Sequence, residues 1–174
     1  MTHAARSSWL LVLIAVAGFS PVQAQAYENP ADVATIDAIM LAYYEVVSGP
    51  AGEAADRARD IYLHQPSALI GIPGRNDAGE RVLNMITLAQ YHDAFGGPRG
   101  EPFYEYEIHR EVQRFGRVAH VWSTYASSRE PDGEPYARGI NSIELYWDGS
   151  RWWITSWSFD QERPELQIPG EYLH

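Results

Sequence analysis

The sequence predicts an α+β domain: a curved antiparallel sheet with three N-terminal helices packed on one face. Three observations carry this prediction. Helix caps and helix-spaced apolar residues are confined to the chain before Pro102. Four long strand-like runs follow Pro102, joined by short glycine-bearing turns. Helices first and an antiparallel meander second place the helices on one face of a single sheet.

Composition sets the limits. The chain has 174 residues, of which 45% are hydrophobic and 13% aromatic, enough for one sizeable core and too aromatic for a disordered chain. There is no cysteine, which excludes thiol nucleophiles, disulfides, iron–sulfur clusters and thiolate metal sites. All 13 basic residues are arginine, so neither a Schiff-base lysine nor a P-loop lysine is available. A formal charge of −10 repels phosphate backbones, and nucleic acid is not an expected partner.

Residues 1–26 read as a signal peptide. Arg6 supplies a basic start, Trp9 to Phe19 an apolar run too short to span a bilayer, and Ala24-Gln25-Ala26 an A-x-A cleavage pattern, with Val22-Gln23-Ala24 close behind. An uncleaved anchor is the alternative. The domain proper is then 27–174, periplasmic or secreted, with no membrane span after cleavage.

Each helix has its own signal. Asn29-Pro30 combines an N-cap with a proline at the first helical position, and Val33, Ile36, Met40, Tyr43 and Val47 follow at helical spacing up to Ser48-Gly49-Pro50. A second helix is expected over Gly52 to Leu63, with Ala54, Ala58 and Ile61 inward. Ser67 to Ile72 reads as a short strand stopped by Pro73-Gly74. Thr87 caps a third helix, Leu88 to Phe95, ended by Gly96-Gly97. The four strands are expected over Phe103–Arg114, Arg117–Arg129, Pro135–Trp147 and Arg151–Asp160, and the tail from Glu162 is extended.

The turns set cross-strand partners. A two-residue turn at Phe115-Gly116 puts Glu111 opposite His120, His109 opposite Trp122 and Glu107 opposite Thr124. Asp148-Gly149 puts Leu145 opposite Trp152, Ile143 opposite Ile154 and Asn141 opposite Ser156. Joined through Asp132-Gly133, one face carries Glu107, His109, Glu111, His120, Trp122, Thr124, Asn141, Ile143, Leu145, Trp152, Ile154, Ser156, Ser158 and Asp160. The other carries Tyr104, Tyr106, Ile108, Val112, Val121, Tyr125, Ile140, Trp153, Trp157 and Phe159. A one-residue bulge would exchange the faces beyond it. The first face has an apolar wall at one end and polar groups at the other, as expected of a pocket floor. The aromatic face is expected to be covered by a second copy of the chain.

Ala137-Arg138-Gly139-Ile140-Asn141-Ser142-Ile143-Glu144-Leu145, followed by Asp148-Gly149-Ser150-Arg151-Trp152-Trp153-Ile154, resembles the C-terminal hairpin of nuclear transport factor 2-like proteins. Phe115-Gly116-Arg117-Val118-Ala119-His120-Val121 and Glu162-Arg163-Pro164 resemble an exported bacterial branch of unassigned activity. The resemblance covers nearly all of Tyr27 to His174. It implies a cone-shaped cavity, with Trp152 and Ile154 pointing toward the helices and dimerisation through the outer sheet face. It also implies a range of activities that includes ketosteroid isomerases, polyketide cyclases, dehydratases and non-catalytic binders.

The candidate acid–base groups are His120 paired with Glu111, Asp160 at the end of the last strand, and His64 after the second helix. The plain alternatives are a surface pair, a salt bridge of Asp160 with Arg163, and a helix-end histidine. The candidate ligand contacts are Tyr43, Tyr91, Trp122, Asn141 and Ser158. Arg138 reads as an interface ion pair. No histidine spacing matches a metal motif, and no cofactor is expected. Three functional readings follow. The favoured one is a small-molecule binder with an apolar or amphipathic ligand in the cone. The others are a cofactor-independent isomerase, cyclase or hydratase, and a non-catalytic interaction module.

Overall fold

The computed structural model describes residues 27–131 and 133–173. The expected signal peptide lies outside the described residues, as does Asp132 of the expected Asp132-Gly133 turn. The elements are α1 (Ile36–Val47), α2 (Arg57–Leu63), β1 (His64–Arg75), β2 (Arg81–Thr87), α3 (Leu88–Phe95), β3 (Tyr104–Phe115), β4 (Val118–Ser128), β5 (Ala137–Trp147) and β6 (Trp152–Gln161). The sheet order is β2-β1-β6-β5-β4-β3. Every neighbouring pair is antiparallel except β1 with β6, which is parallel. The fold is thus α+β, with three helices on one face of a curved mixed sheet.

The helices start where a side chain can cap them. Asn29 caps only a 3₁₀ turn, Pro30–Val33, and Thr35 then caps α1 by accepting from the Ala38 amide at 3.0 Å. The single expected helix is therefore two pieces. Asp56 caps α2, so it begins later than the expected Gly52. Its inward residues are Asp60 and Leu63, whereas Ala54 and Ala58 are exposed and Ile61 is half exposed. An acid takes the inward position because two histidines satisfy it there. α3 begins with a complete capping box, Thr87 with Gln90, and ends at Gly96 as predicted.

The sequence reading missed β2. Asn76 and Gly79 close a turn that returns the chain along β1, which continues through Pro73 to Arg75. Pro73 is tolerated because pairing with β6 ends at Gly71, leaving β1 a neighbour on one side only.

Two bulges and one register decide the sheet faces. The β3–β4 turn pairs Phe115 with Val118, so Glu111 faces Trp122 rather than His120. A register shift between Glu107 and His109 then turns Glu107 and Glu105 to the side of Tyr125 and Ser127. Val121 pairs with Ile143 and Ser123 with Asn141, which puts His120 and Asn141 on opposite faces. Trp147 pairs with Trp152, and a second shift around Thr155 turns Trp157 and Phe159 toward Ile143 and Asn141. The expected faces are corrected accordingly. Val121, Tyr125, Trp157 and Phe159 share the concave face with Asn141, Ile143, Leu145, Trp152 and Ile154. His120, Trp122, Ser158 and Asp160 are on the outer face.

The core lies between helices and concave face. Ile39, Met40, Leu63, Ile70, Val121, Ile143 and Ile154 are fully buried. Each such side chain contributes roughly 1.5–3 kcal/mol relative to exposure. The C-terminal tail crosses the outer face. Glu162 binds Arg138 through its amide (2.8 Å) and its carboxylate (2.9 Å), and Tyr172 packs near Trp122 and His109 with ring centroids 6.2 and 6.3 Å apart. Part of the surface expected to be covered by a second copy is thus covered by the chain itself, and Arg138 finds its partner within the chain.

Candidate functional site

The concave face encloses a cavity of about 400 Å³ between α1, α3 and β3 to β6. Helix spacing brings Tyr43 and Tyr91 into it. The β6 bulge adds Trp157 and Phe159, and the register of β4 on β5 adds Tyr125 and Asn141. Trp157 meets Tyr43 and Tyr91 edge-on at 5.8 and 5.3 Å. Such T-shaped pairs hold their rings in place. Phe95 and Tyr136, both about half exposed, mark the opening.

Polar groups converge on one side of this apolar chamber. Glu105, placed there by the β3 bulge, receives a 3.3 Å hydrogen bond from Ser127 Oγ. Burial pushes its carboxyl up to about 7, against the weaker pull of hydrogen bonds from Ser127 and Asn141. Asn141 Nδ2 donates to the Tyr44 hydroxyl at 3.2 Å, and that hydroxyl shares a 2.6 Å hydrogen bond with Ser123 Oγ. Ser123 in turn donates to Glu107, which Arg110 holds. Burial pushes the ionisation of Tyr43, Tyr44, Tyr91 and Tyr125 to higher pH, so all four phenols are neutral.

A second network stands behind Trp157. Its indole N–H donates to His64 Nε2 at 3.1 Å. An indole nitrogen can only donate, so Nε2 is an acceptor and the His64 proton is on Nδ1. Nδ1 donates to the Asp60 carbonyl at 2.9 Å and lies 3.2 Å from Asp60 Oδ1. His92 Nε2 donates to Asp60 Oδ2 at 2.7 Å. Burial raises the Asp60 carboxyl, but His64 and His92 outweigh it and hold the group at about 2.

The expected site residues divide between the two faces. Tyr43, Tyr91 and Asn141 line the concave cavity. His64 supports its wall from behind. Trp122, Ser158 and Asp160 instead line a separate hollow of about 500 Å³ between the outer face and the tail. His120 is also on the outer face, with Nε2 3.0 Å from Ser142 Oγ and no pairing to Glu111. Asp160 is exposed and bound to Arg163 at 2.7 Å; partial desolvation raises its carboxyl, but the Arg163 guanidinium outweighs this and holds it below the usual range. Sequence reasoning missed Glu105. Its only signal is an acid within Tyr104-Glu105-Tyr106-Glu107, and its direction depends on the bulge. Among the described residues, no group of three or more His, Asp or Glu is arranged to hold a metal ion.

The chain has the nuclear transport factor 2-like fold, as its hairpin sequence anticipated. A protein from Parabacteroides distasonis, provisionally assigned as a ketosteroid isomerase, superposes with a TM-score of 0.50 at 13% identity, over 75% of this chain and 89% of its own. A nuclear transport factor 2-like protein of unknown function from Shewanella baltica gives 0.48 at 12% identity, covering 72% and 89%. Another, from Methylobacillus flagellatus, gives 0.46 at 16%, covering 74% and 95%. At these identities the likeness concerns fold alone. No protein-family model and no curated protein matches the sequence.

Proposed function

We propose that this is an exported small-molecule-binding protein whose ligand occupies the concave cavity. The carrying observation is the convergence of Glu105, Asn141 and Ser127 on one side of an aromatic chamber. Such a chamber buries an apolar body and orients one polar group. Export is supported by the pattern of residues 1–26. Native mass spectrometry of protein purified from its natural host is expected to show a bound small molecule. A host-purified protein carrying nothing counts against the reading.

A second reading is cofactor-independent acid–base catalysis, with Glu105 taking the role that the sequence offered to His120, Asp160 or His64. It is favoured by a carboxyl poised near 7 within the cavity. Turnover that vanishes in Glu105→Gln, with ligand binding retained, would select it. Association of two copies is also proposed. Leu69, Leu83 and Met85 are 44–53% exposed on the outer face. They form the apolar area that the tail leaves uncovered.

A further inference from the structure

Among the described residues, Glu105 is the one carboxyl that lines the cavity, together with Tyr43, Tyr91, Tyr125, Tyr136, Trp157 and Phe159. After burial, and for Tyr91 after the charge of Asp60, its charge helps push the ionisation of Tyr43, Tyr91 and Tyr125 to higher pH; these residues belong to three different elements. The half-buried Glu105 shares the cavity lining with these rings.

The hydrogen-bond partners of this carboxyl are neutral. The cation that lines the cavity, Arg99, is committed elsewhere. It donates to the carbonyls of Val47 (2.7 Å), Ser48 (3.2 Å) and Glu53 (3.0 Å), at the C-terminal end of α1 where helix-end carbonyls favour positive charge. The other charged or titratable groups nearby are also engaged. Asp60 is shared by His64 and His92 behind Trp157, and Asp160 is held by Arg163.

Aromatic faces carry negative potential and attract cations, most strongly where water is excluded. Among the described residues, no cationic side chain pairs with the Glu105 carboxylate in this aromatic lining. We infer that the cavity takes an organic cation, an ammonium bearing methyl or methylene carbons, with its charge against Glu105 and its carbons against the rings. The inference rests on the small-molecule reading above and names its ligand class. The chain's net charge of −10 also favours the approach of a cation. A cation requires ionised Glu105, so its affinity rises with pH across neutrality.

Three probes of similar shape separate the cases by calorimetry on the purified protein: choline, its neutral carbon analogue 3,3-dimethylbutan-1-ol, and the anion 3,3-dimethylbutyrate. At pH 8 choline is expected to bind at least roughly tenfold more tightly than the alcohol. Choline affinity should fall about tenfold by pH 6, while the alcohol changes little. Glu105→Gln should remove the preference for choline and keep the alcohol. Tyr91→Leu should weaken choline more than the alcohol. Equal binding of choline and alcohol at pH 8, a preference for the anion, or no binding of any probe overturns the cation inference. The small-molecule reading fails separately, when host-purified protein carries no ligand.

Discussion

The indole N–H of Trp157 is hydrogen-bonded to Nε2 of His64 at 3.1 Å, which ties a wall of the cavity to a buried carboxylate two links away. The bond sets the His64 tautomer, and the tautomer directs the remaining proton to Asp60. Four elements, α2, β1, α3 and β6, are joined by these contacts around one acid.

Removing His64 should therefore cost more than its packing. His64→Leu leaves the Trp157 donor unsatisfied and takes one partner from Asp60. A loss of about 3–5 kcal/mol is expected, read from urea unfolding. His64→Gln retains an acceptor and a donor and should lose less.

Glu105 should make the protein less stable as pH rises. Its folded carboxyl is pushed up to about 7 from an ordinary 4.5. The stabilising form is the protonated one, fully present below 4.5 and lost through 7. Ionisation costs on the order of 3 kcal/mol. In urea titrations, Glu105→Gln should match wild type in its pH trend below 4.5 and become progressively more stable than wild type toward pH 8. A constant difference across that range would contradict the placement of Glu105.

Asp60 acts in the opposite sense. Its folded carboxyl lies at about 2, below the ordinary 3.8. Its contribution, on the order of 2 kcal/mol, is present above 3.8 and lost as pH falls through 2. Acid unfolding monitored by near-ultraviolet circular dichroism should show less dependence on this range in Asp60→Asn, from an already destabilised starting point.

Gly139 is where β5 passes closest to Tyr125. A Cβ there would meet the Tyr125 ring and stand 2.5 Å from the Asp160 carbonyl. Gly139→Ala should destabilise by about 1–3 kcal/mol through overpacking and displace Tyr125 from the cavity. Thermal unfolding and a crystal structure of the variant check both effects.

The proposed association through the outer face predicts that Leu83→Asp with Met85→Lys converts dimer to monomer in sedimentation velocity. Wild-type protein that is monomeric at the same concentration would remove the basis for it.

Much of the fold is legible in sequence. Thr87 with Gln90 announces α3, and glycine turns divide the four long strands nearly where they end. β2 was obscured because its hydrophobic residues are only half covered and its turn lacks a strong hairpin pair. The site was legible in part. Tyr43, Tyr91 and Asn141 reach the cavity, but Glu105 and Trp157 depended on bulges around Ile108 and Thr155. A bulge has no side-chain signature there, since it is selected by how the sheet bends against the helices.

The amino-acid order alone determined the three helices and the four long strands, the exclusion of thiol and lysine chemistry, and the likeness to a known cone. Only the tertiary structure decided which side chains face the helices. The reason is the two-residue period of a strand: a single extra residue reverses every side chain beyond it. His120, Trp122, Ser158 and Asp160 were thereby moved to the outer face, and Glu105 was turned inward among the aromatic rings.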